Sequence, residues 1–368
     1  MELCTKGLSG SIPQLKARNI ALGCVRTCVV VAEERPRIHL TSAFSKLFSA
    51  LGLSPRAVST SFGCRVNIAI CLQGASSPEP SSVYVDLRAL RNDRVSLVER
   101  GSPHSLCLLE SGKLLPGVKV IIANPDTKGQ CGDSHLGEIW VQCSHNASGY
   151  FSLYGDESEY AQQFSARLVT GSTGELYART GYLGFLRRTS PAGVAGAPSG
   201  LGSGSSILSA NDTLSSQGGM TDISSVASLD VPPPSSGTPL DAPELHDAVF
   251  VVGALDETIM LRGMRYHPID IENSVMRAHK KIAECAVFTW TNLLVVVVEL
   301  DGNESEALDL VPLVTNAVLE EHHLIVGVAV VVDPGVVPIN SRGEKQRMHL
   351  RDGFLADQLD PIYVAYNM

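Results

Sequence analysis

Between residues 191 and 240 about half of the positions are Gly, Ser or Pro and none is Lys or Arg. A stretch this poor in apolar side chains has little buried surface to set against the entropy of ordering it. Any core must therefore come from the flanking stretches. The segment 190–246 reads as a disordered insertion, either a regulatory loop carrying phosphorylatable serines or a tolerated surface insertion. The flanks are equal to the task, because 44% of the 368 residues are apolar.

In the front flank, Cys28-Val29-Val30-Val31 is a short, unbroken β-branched run, the pattern of a strand buried on both faces of a parallel sheet. Phe44, Leu47, Phe48 and Leu51 then recur at helical spacing and predict an amphipathic helix over 41–51. A second strand over 57–61 completes a strand–helix–strand rhythm, which is an α/β signature. Short runs at 83–87, 95–99, 118–123 and 137–141, separated by turn residues such as Asn124-Pro125-Asp126, predict an antiparallel β layer. Beyond the insertion the order is a strand over 248–252, a helix over 268–280, a hairpin of 284–290 with 293–300, a helix over 304–321 and a strand over 325–332. The expected fold class is α/β. Residues 1–189 form part of a large subdomain (parallel sheet plus antiparallel layer), 247–252 its last strand before a hinge, and 253–368 a small α+β subdomain.

A formal net charge of −9 supplies no basic footprint for nucleic-acid phosphates or anionic lipid, which argues against direct nucleic-acid binding. Nine cysteines without a C-x-x-C pair fit a reduced compartment, the cytoplasm, with the nucleus left open. No apolar run reaches the roughly 18–20 residues of a membrane helix. The longest, 293–298, reads as a buried strand.

Four blocks follow one another in the chain: Gly137-Glu138-Ile139-Trp140-Val141, Gly149-Tyr150-Phe151, Arg179-Thr180-Gly181-Tyr182-Leu183-Gly184-Phe185, and Leu261-Arg262-Gly263 through Pro268-Ile269-Asp270-Ile271-Glu272. In that order they resemble the signature stretches of adenylate-forming enzymes. The last block is similar to the R-G-x-x-x-x-P-x-D-I-E pattern of the fatty acyl-AMP ligase branch. Residues 30–35 resemble the G-A-E-P strand end of those enzymes, Ser61-Phe62-Gly63 their S-Y-G turn, and 71–112 sits where the branch carries an insertion associated with rejecting coenzyme A. The stretch from Cys285-Ala286-Val287-Phe288 through Gly343-Glu344-Lys345-Gln346-Arg347 to Ala365-Tyr366-Asn367-Met368 resembles the C-terminal end of the animal disco-interacting protein 2 family. The resemblance covers nearly everything outside the insertion and implies a chain short at its front.

This resemblance implies ATP or AMP and Mg²⁺ as cofactors, with Glu33, Phe62, Gly63, Thr180, Gly181, Tyr182, Arg262 and Gly263 at nucleotide-contacting positions. Acyl adenylation brings a carboxylate against a phosphate, so the site must supply positive charge and hold two anions in line. The devices that do so in the family are altered here. No Pro-Lys-Gly loop precedes Val30, and Gly171-Ser172-Thr173-Gly174, lacking a Lys, reads as a hairpin turn. Val66 stands where the family carries its Mg²⁺ carboxylate, and no metal ligand is assigned. Tyr182 stands in place of the ribose-binding Asp, and Ala254 in place of a hinge-proximal Arg. Alignment on Gly343 puts Glu344 where a closing Lys belongs. Neighbouring Lys345 is the catalytic candidate only if the loop shifts by one residue; otherwise it is a surface cation among Arg342, Arg347 and Arg351.

Several residues carry two readings. Arg262-Gly263 is expected to be a turn packing the small subdomain on the large one, and Asp256-Glu257 a hinge. His267 is a base or a turn-packing residue; His322-His323 closes a helix or binds metal; Glu33-Glu34-Arg35 touches adenine or is a solvated strand end. Two functions remain open. One is an active fatty acyl-AMP ligase that needs the missing front. The other is a pseudo-enzyme that binds a fatty acyl ligand or a protein partner and regulates lipid metabolism or neuronal development.

Overall fold

A computed structural model describes residues 1–32, 35–74, 80–150, 162–188, 246–340 and 343–367. Residues 1–189 and 246–368 form one compact unit, and the insertion expected at 190–246 lies, but for its last residue, outside the described residues. The front strands are β1 (Cys28–Ala32), β2 (Val58–Cys64), β3 (Asn67–Leu72), β4 (Ser82–Asp86), β5 (Ser105–Leu109), β6 (Lys113–Leu114), β7 (Lys119–Ala123), β8 (Gly137–Gln142) and β9 (Ala178–Arg188). Those behind the insertion are β10 (Asp247–Ala254), β11 (Ile259–Leu261), β12 (Met264–Tyr266), β13 (Ile282–Trp290), β14 (Leu293–Leu300), β15 (Val326–Val332) and β16 (Tyr363–Tyr366).

The large sheet runs β1-β2-β3-β6-β10-β9-β8-β7. Only β1 and β2 pair in parallel, joined by the crossover helix Ile38–Ser49; the remaining neighbours are antiparallel. Alternation along the strands gives the sheet two apolar faces. One gathers Phe62, Ile70, Ile139, Val249 and Val251; the other sets Leu183, Phe185, Phe250 and Val252 against Val83, Val85 and Leu108 of the β4–β5 ladder. The strand following the insertion thus returns to the middle of the front sheet, with Phe250 opposite Phe185 and their rings stacked 5.1 Å apart.

Two expectations are corrected. The 28–31 run is not buried on both faces: β1 is an edge strand, with Val29 44% and Val31 73% exposed. The β-branched run sets the strand conformation, whereas burial depends on which layers arrive, and the crossover helix spends its apolar stripe elsewhere. Phe44, Leu47 and Phe48 pack with Leu8, Ile12 and Leu15 of the N-terminal helices. The strand expected at 95–99 is reduced to isolated bridges, Arg94 with His135 and Leu97 with Val85. β4 takes its ladder partner from β5 instead.

The second sheet, β13-β14-β15-β16, follows the expected order. Helices Pro268–Ala278 and Ala307–His322 cover one face through Ile271, Val275, Leu310 and Val314, while helix Arg347–Leu355 covers the other through Leu350. Being covered twice, Val295, Val296 and Val297 are fully buried, which is the physical reason for the unbroken valine run. The Thr291-Asn292 loop of the β13–β14 hairpin has φ of 46° and 68°, the left-handed pair that a tight two-residue turn requires.

Candidate functional site

Where β9 passes β8, a buried carboxylate organises the backbone. Glu138 is the second residue of β8 and is 1% exposed. Its Oε2 accepts from Trp140 Nε1 and Arg179 Nε, both at 2.9 Å, and its Oε1 accepts from the Gly181 N–H at 3.1 Å. The carboxylate is therefore fully engaged and pins Gly181 at φ 77°, a conformation that suits glycine. Thr180 Oγ1 donates to the Ile139 carbonyl at 2.7 Å and accepts from the Tyr182 N–H at 3.1 Å. Thr180-Gly181-Tyr182 is thus a rigidly held stretch of β9, and it faces a cleft of about 770 Å³. A second cavity of about 330 Å³ adjoins it; Arg65, Tyr182 and Asp256 line both.

Three of the altered positions, Tyr182, Ala254 and Glu344, meet around this smaller cavity together with Lys345. Tyr182 lies opposite Ala254 in the β9–β10 ladder, and its ring packs edge-on to Phe62 at 5.6 Å. Val66, in contrast, is 1% exposed and belongs to the apolar cluster of Phe62 and Ile70. Gly63 leaves no room for a side chain, since an added Cβ would lie 2.0 Å from the Ile68 carbonyl oxygen across the β2–β3 ladder. Arg262 and Gly263 form the two-residue turn between β11 and β12, with φ of 53° and 76°, exposed and away from the cleft lining. Glu33 lies outside the described residues.

Glu344 is locked to its own loop: its carboxylate accepts from Asn340 Nδ2 at 2.6 Å, and its N–H donates to Asn340 Oδ1 at 3.0 Å. Lys345 is no surface cation. Its side chain is 8% exposed, and Nζ contacts Glu284 Oε1 at 2.7 Å and Glu272 Oε2 at 3.1 Å while donating to the Cys285 carbonyl at 2.6 Å. Arg347 completes the cage with a two-pronged contact to Glu272, at 2.7 and 2.9 Å, and a further one to Glu257. Burial pulls the Lys345 pKa down, but the two carboxylates outweigh it and the net direction is up. Burial pushes Glu272 up, but Arg347 and Lys345 outweigh it and hold the carboxyl below its ordinary range.

A second polar cluster joins the front of the chain to its back. Arg35 pairs with Asp270, both buried, and Arg265 Nε bonds Asp93 Oδ1 at 2.9 Å. The cross-chain ion pair beside the β11–β12 turn is therefore made by Arg265. Arg91 Nη2 lies 3.3 Å from His322 Nδ1, and because a guanidinium only donates, His322 accepts there and is neutral, its Nε2 set 2.8 Å from Ser274 Oγ. Burial lowers the pKa of His322 and of His267 to about 4 each. His267 packs against Gly253, where a Cβ would come within 2.9 Å of its Nδ1.

Sequence reasoning passed over Glu138, Glu272 and Glu284 as functional groups. The signal was a charged residue inside an apolar strand or on the packed face of a helix, which demands a buried partner. Among the described residues no group of three metal-ligating side chains comes together. All nine cysteines are free, and no described helix is long and apolar enough to cross a membrane.

A family model described as Disco-interacting protein 2-like, AMP domain, matches residues 256–363. Disco-interacting protein 2 of Drosophila melanogaster is 72% identical over 373 residues, covering 100% of this chain and 21% of that protein. The Homeostatic regulator of DAG of Saccharomyces cerevisiae is 24% identical over 330 residues, covering 86% of this chain and 17% of that protein. A structure of the fatty acyl-adenylate ligases of E. coli and L. pneumophila shares the fold with a TM-score of 0.64 and 15% identity, covering 92% of this chain and 49% of that one. The chain spans about a fifth of the length of the curated relatives it matches.

Proposed function

The chain is of the disco-interacting protein 2 kind and carries that family's AMP domain, and from that premise we propose a fatty acyl-AMP ligase-like module that has lost its own adenylation chemistry and works in lipid regulation as a binding or scaffold module. The observation that carries this reading is the fate of the charges. Lys345, the candidate closing cation, lines the smaller adjoining cavity and is held by Glu272 and Glu284. Tyr182 turns its ring onto Phe62, and Val66 is core. A cleft of about 770 Å³ is large enough for a nucleotide, within the ~300–1,000 Å³ of small-molecule sites. The residues present do not fit magnesium ATP: a valine offers no oxygen to a hard cation, and a phenol cannot accept from two ribose hydroxyls as a carboxylate does.

The ligand class is a fatty acyl chain, with a protein partner as the other candidate, and the compartment is the cytoplasm. The similarity to a yeast protein named for regulating DAG supports a lipid role. The subdomain boundary falls at Gly253, and the Arg35–Asp270, Arg91–His322 and Asp93–Arg265 contacts hold the two sides together across it. Fatty-acid-dependent pyrophosphate exchange, run on this chain and on a version extended at its front, tests the proposal. The expected result is no exchange in either, with ATP binding undetectable by calorimetry. Exchange that Lys345→Ala abolishes would establish the other reading, an active ligase, which the size of the cleft favours.

A further inference from the structure

The crossover helix Ile38–Ser49 is turned unusually for its place between two parallel strands. Such helices bury their apolar stripe on the sheet, yet here that stripe clusters with Leu8, Ile12 and Leu15 of the N-terminal helices, and Val58 of β2 is the one described strand residue that joins them. The opposite face carries Thr41, Ser42, Ser45, Lys46 and Ser49, one polar stripe at three- and four-residue spacing. These five residues line a cleft of about 450 Å³ whose other wall includes Val58 and Thr60 of β2.

The chemistry of this lining is one-sided. Lys46 and Arg56 line the cleft and, among the described residues, no carboxylate does, in a chain of net charge −9. Neither cation has an ion-pair partner among the described residues. Ser49 and Thr41 spend their protons on their own helix, on the Lys46 carbonyl at 2.8 Å and the Ile38 carbonyl at 3.0 Å, which leaves Ser42 and Ser45 as donors. Thr60 is 3% exposed and its Oγ1 has no hydrogen-bond partner, a desolvated donor lining the cleft. Ile38, Val58 and Leu109 supply apolar wall.

We propose that this cleft binds a phosphomonoester, its phosphate held by Arg56, Lys46 and the Ser42, Ser45 and Thr60 hydroxyls, with the organic remainder against Ile38, Val58 and Leu109. Two cations and several hydroxyl donors suit an anion with three acceptor oxygens, and Arg presents a fork that matches phosphate geometry. The volume exceeds what phosphate alone fills, which leaves room for an organic body. None of these residues lines the nucleotide cleft, and the proposal stands or falls separately from the reading of that cleft.

The test uses the full chain at low salt, titrated calorimetrically with glycerol 3-phosphate, with inorganic phosphate alongside. Vesicles of phosphatidylcholine with phosphatidic acid form a second arm. Saturable glycerol 3-phosphate binding is expected, tighter than that of inorganic phosphate. The Lys46→Glu/Arg56→Glu double variant, both positions exposed, should weaken it at least about tenfold, and Thr60→Val about threefold, with no loss of thermal stability. Vesicle binding displaced by glycerol 3-phosphate would assign the phosphate to a lipid headgroup in the same cleft; absence of vesicle binding would assign it to a free metabolite. The proposal is overturned if glycerol 3-phosphate shows no saturation by about 10 mM, if folded Lys46→Glu/Arg56→Glu binds as well as the parent, or if vesicle binding resists displacement.

Discussion

Replacing Lys345 by Met separates a structural cation from a reacting one. In the cage Lys345 serves Glu272, Glu284 and the Cys285 carbonyl, and its side chain is 8% exposed. Hydrogen bonds to charged groups contribute roughly 1.5–3 kcal/mol each, and breaking a buried pair by removing one member costs about 3–5 kcal/mol. The lower end applies here. Arg347 still holds Glu272 with two contacts, and Glu284, 25% exposed, can turn to water. A loss of about 3 kcal/mol, at a urea m-value of about 3 kcal/mol/M for a chain of this size, moves the unfolding midpoint down by about 1 M. Lys345→Met combined with Glu272→Gln should lose less than Lys345→Met and Glu272→Gln summed, with a coupling of roughly 1–3 kcal/mol, because the two residues share one contact. Urea titration followed by circular dichroism measures all three variants. A midpoint moved by less than about 0.2 M in Lys345→Met, together with fatty-acid-dependent pyrophosphate exchange present in the parent and lost in the variant, would refute the reasoning.

Acid should weaken the fold already as pH falls below about 6.5, where two buried imidazoles resist protonation. His267 and His322 have folded pKa values of about 4 against 6.5 when exposed, so between those values the unfolded chain binds more protons and stability falls as pH falls. Linkage gives a loss of about 2 kcal/mol per imidazole from pH 7.5 to pH 5, and His267→Gln should flatten the urea-midpoint profile by its share. A profile level over that range would contradict neutral burial of both rings. Val66→Glu is expected to destabilise by about 3 kcal/mol or more without creating Mg²⁺ affinity, since the new carboxylate would enter the Phe62–Ile70 cluster; Mg²⁺-dependent protection against thermal unfolding would show otherwise. Gly63→Ala should cost about 3 kcal/mol or abolish folding, because its Cβ has the Ile68 carbonyl 2.0 Å away; a near-parental melting curve would place the β2–β3 turn differently.

Local signals in the chain were enough for much of the fold. The valine run of β14, the Pro268 start of its helix and the β13–β14 spacing were legible because each depends on neighbours a few residues away. The side-chain chemistry of Val66, Tyr182, Ala254 and Glu344 was legible too, since it does not depend on where a residue folds. The unbroken 28–31 run was read correctly as strand and wrongly as interior, because periodicity reports conformation and not which layer arrives from elsewhere.

What tertiary structure alone decided is which charges meet. Lys345 could be read as a surface cation or a reacting one until the fold brought it to Glu272, 73 residues earlier in the chain. Asp270 finds Arg35 across 235 residues. Coulomb attraction and the cost of burying a lone charge act through space, so the sequence displays every charged group but leaves its partner to the folded chain.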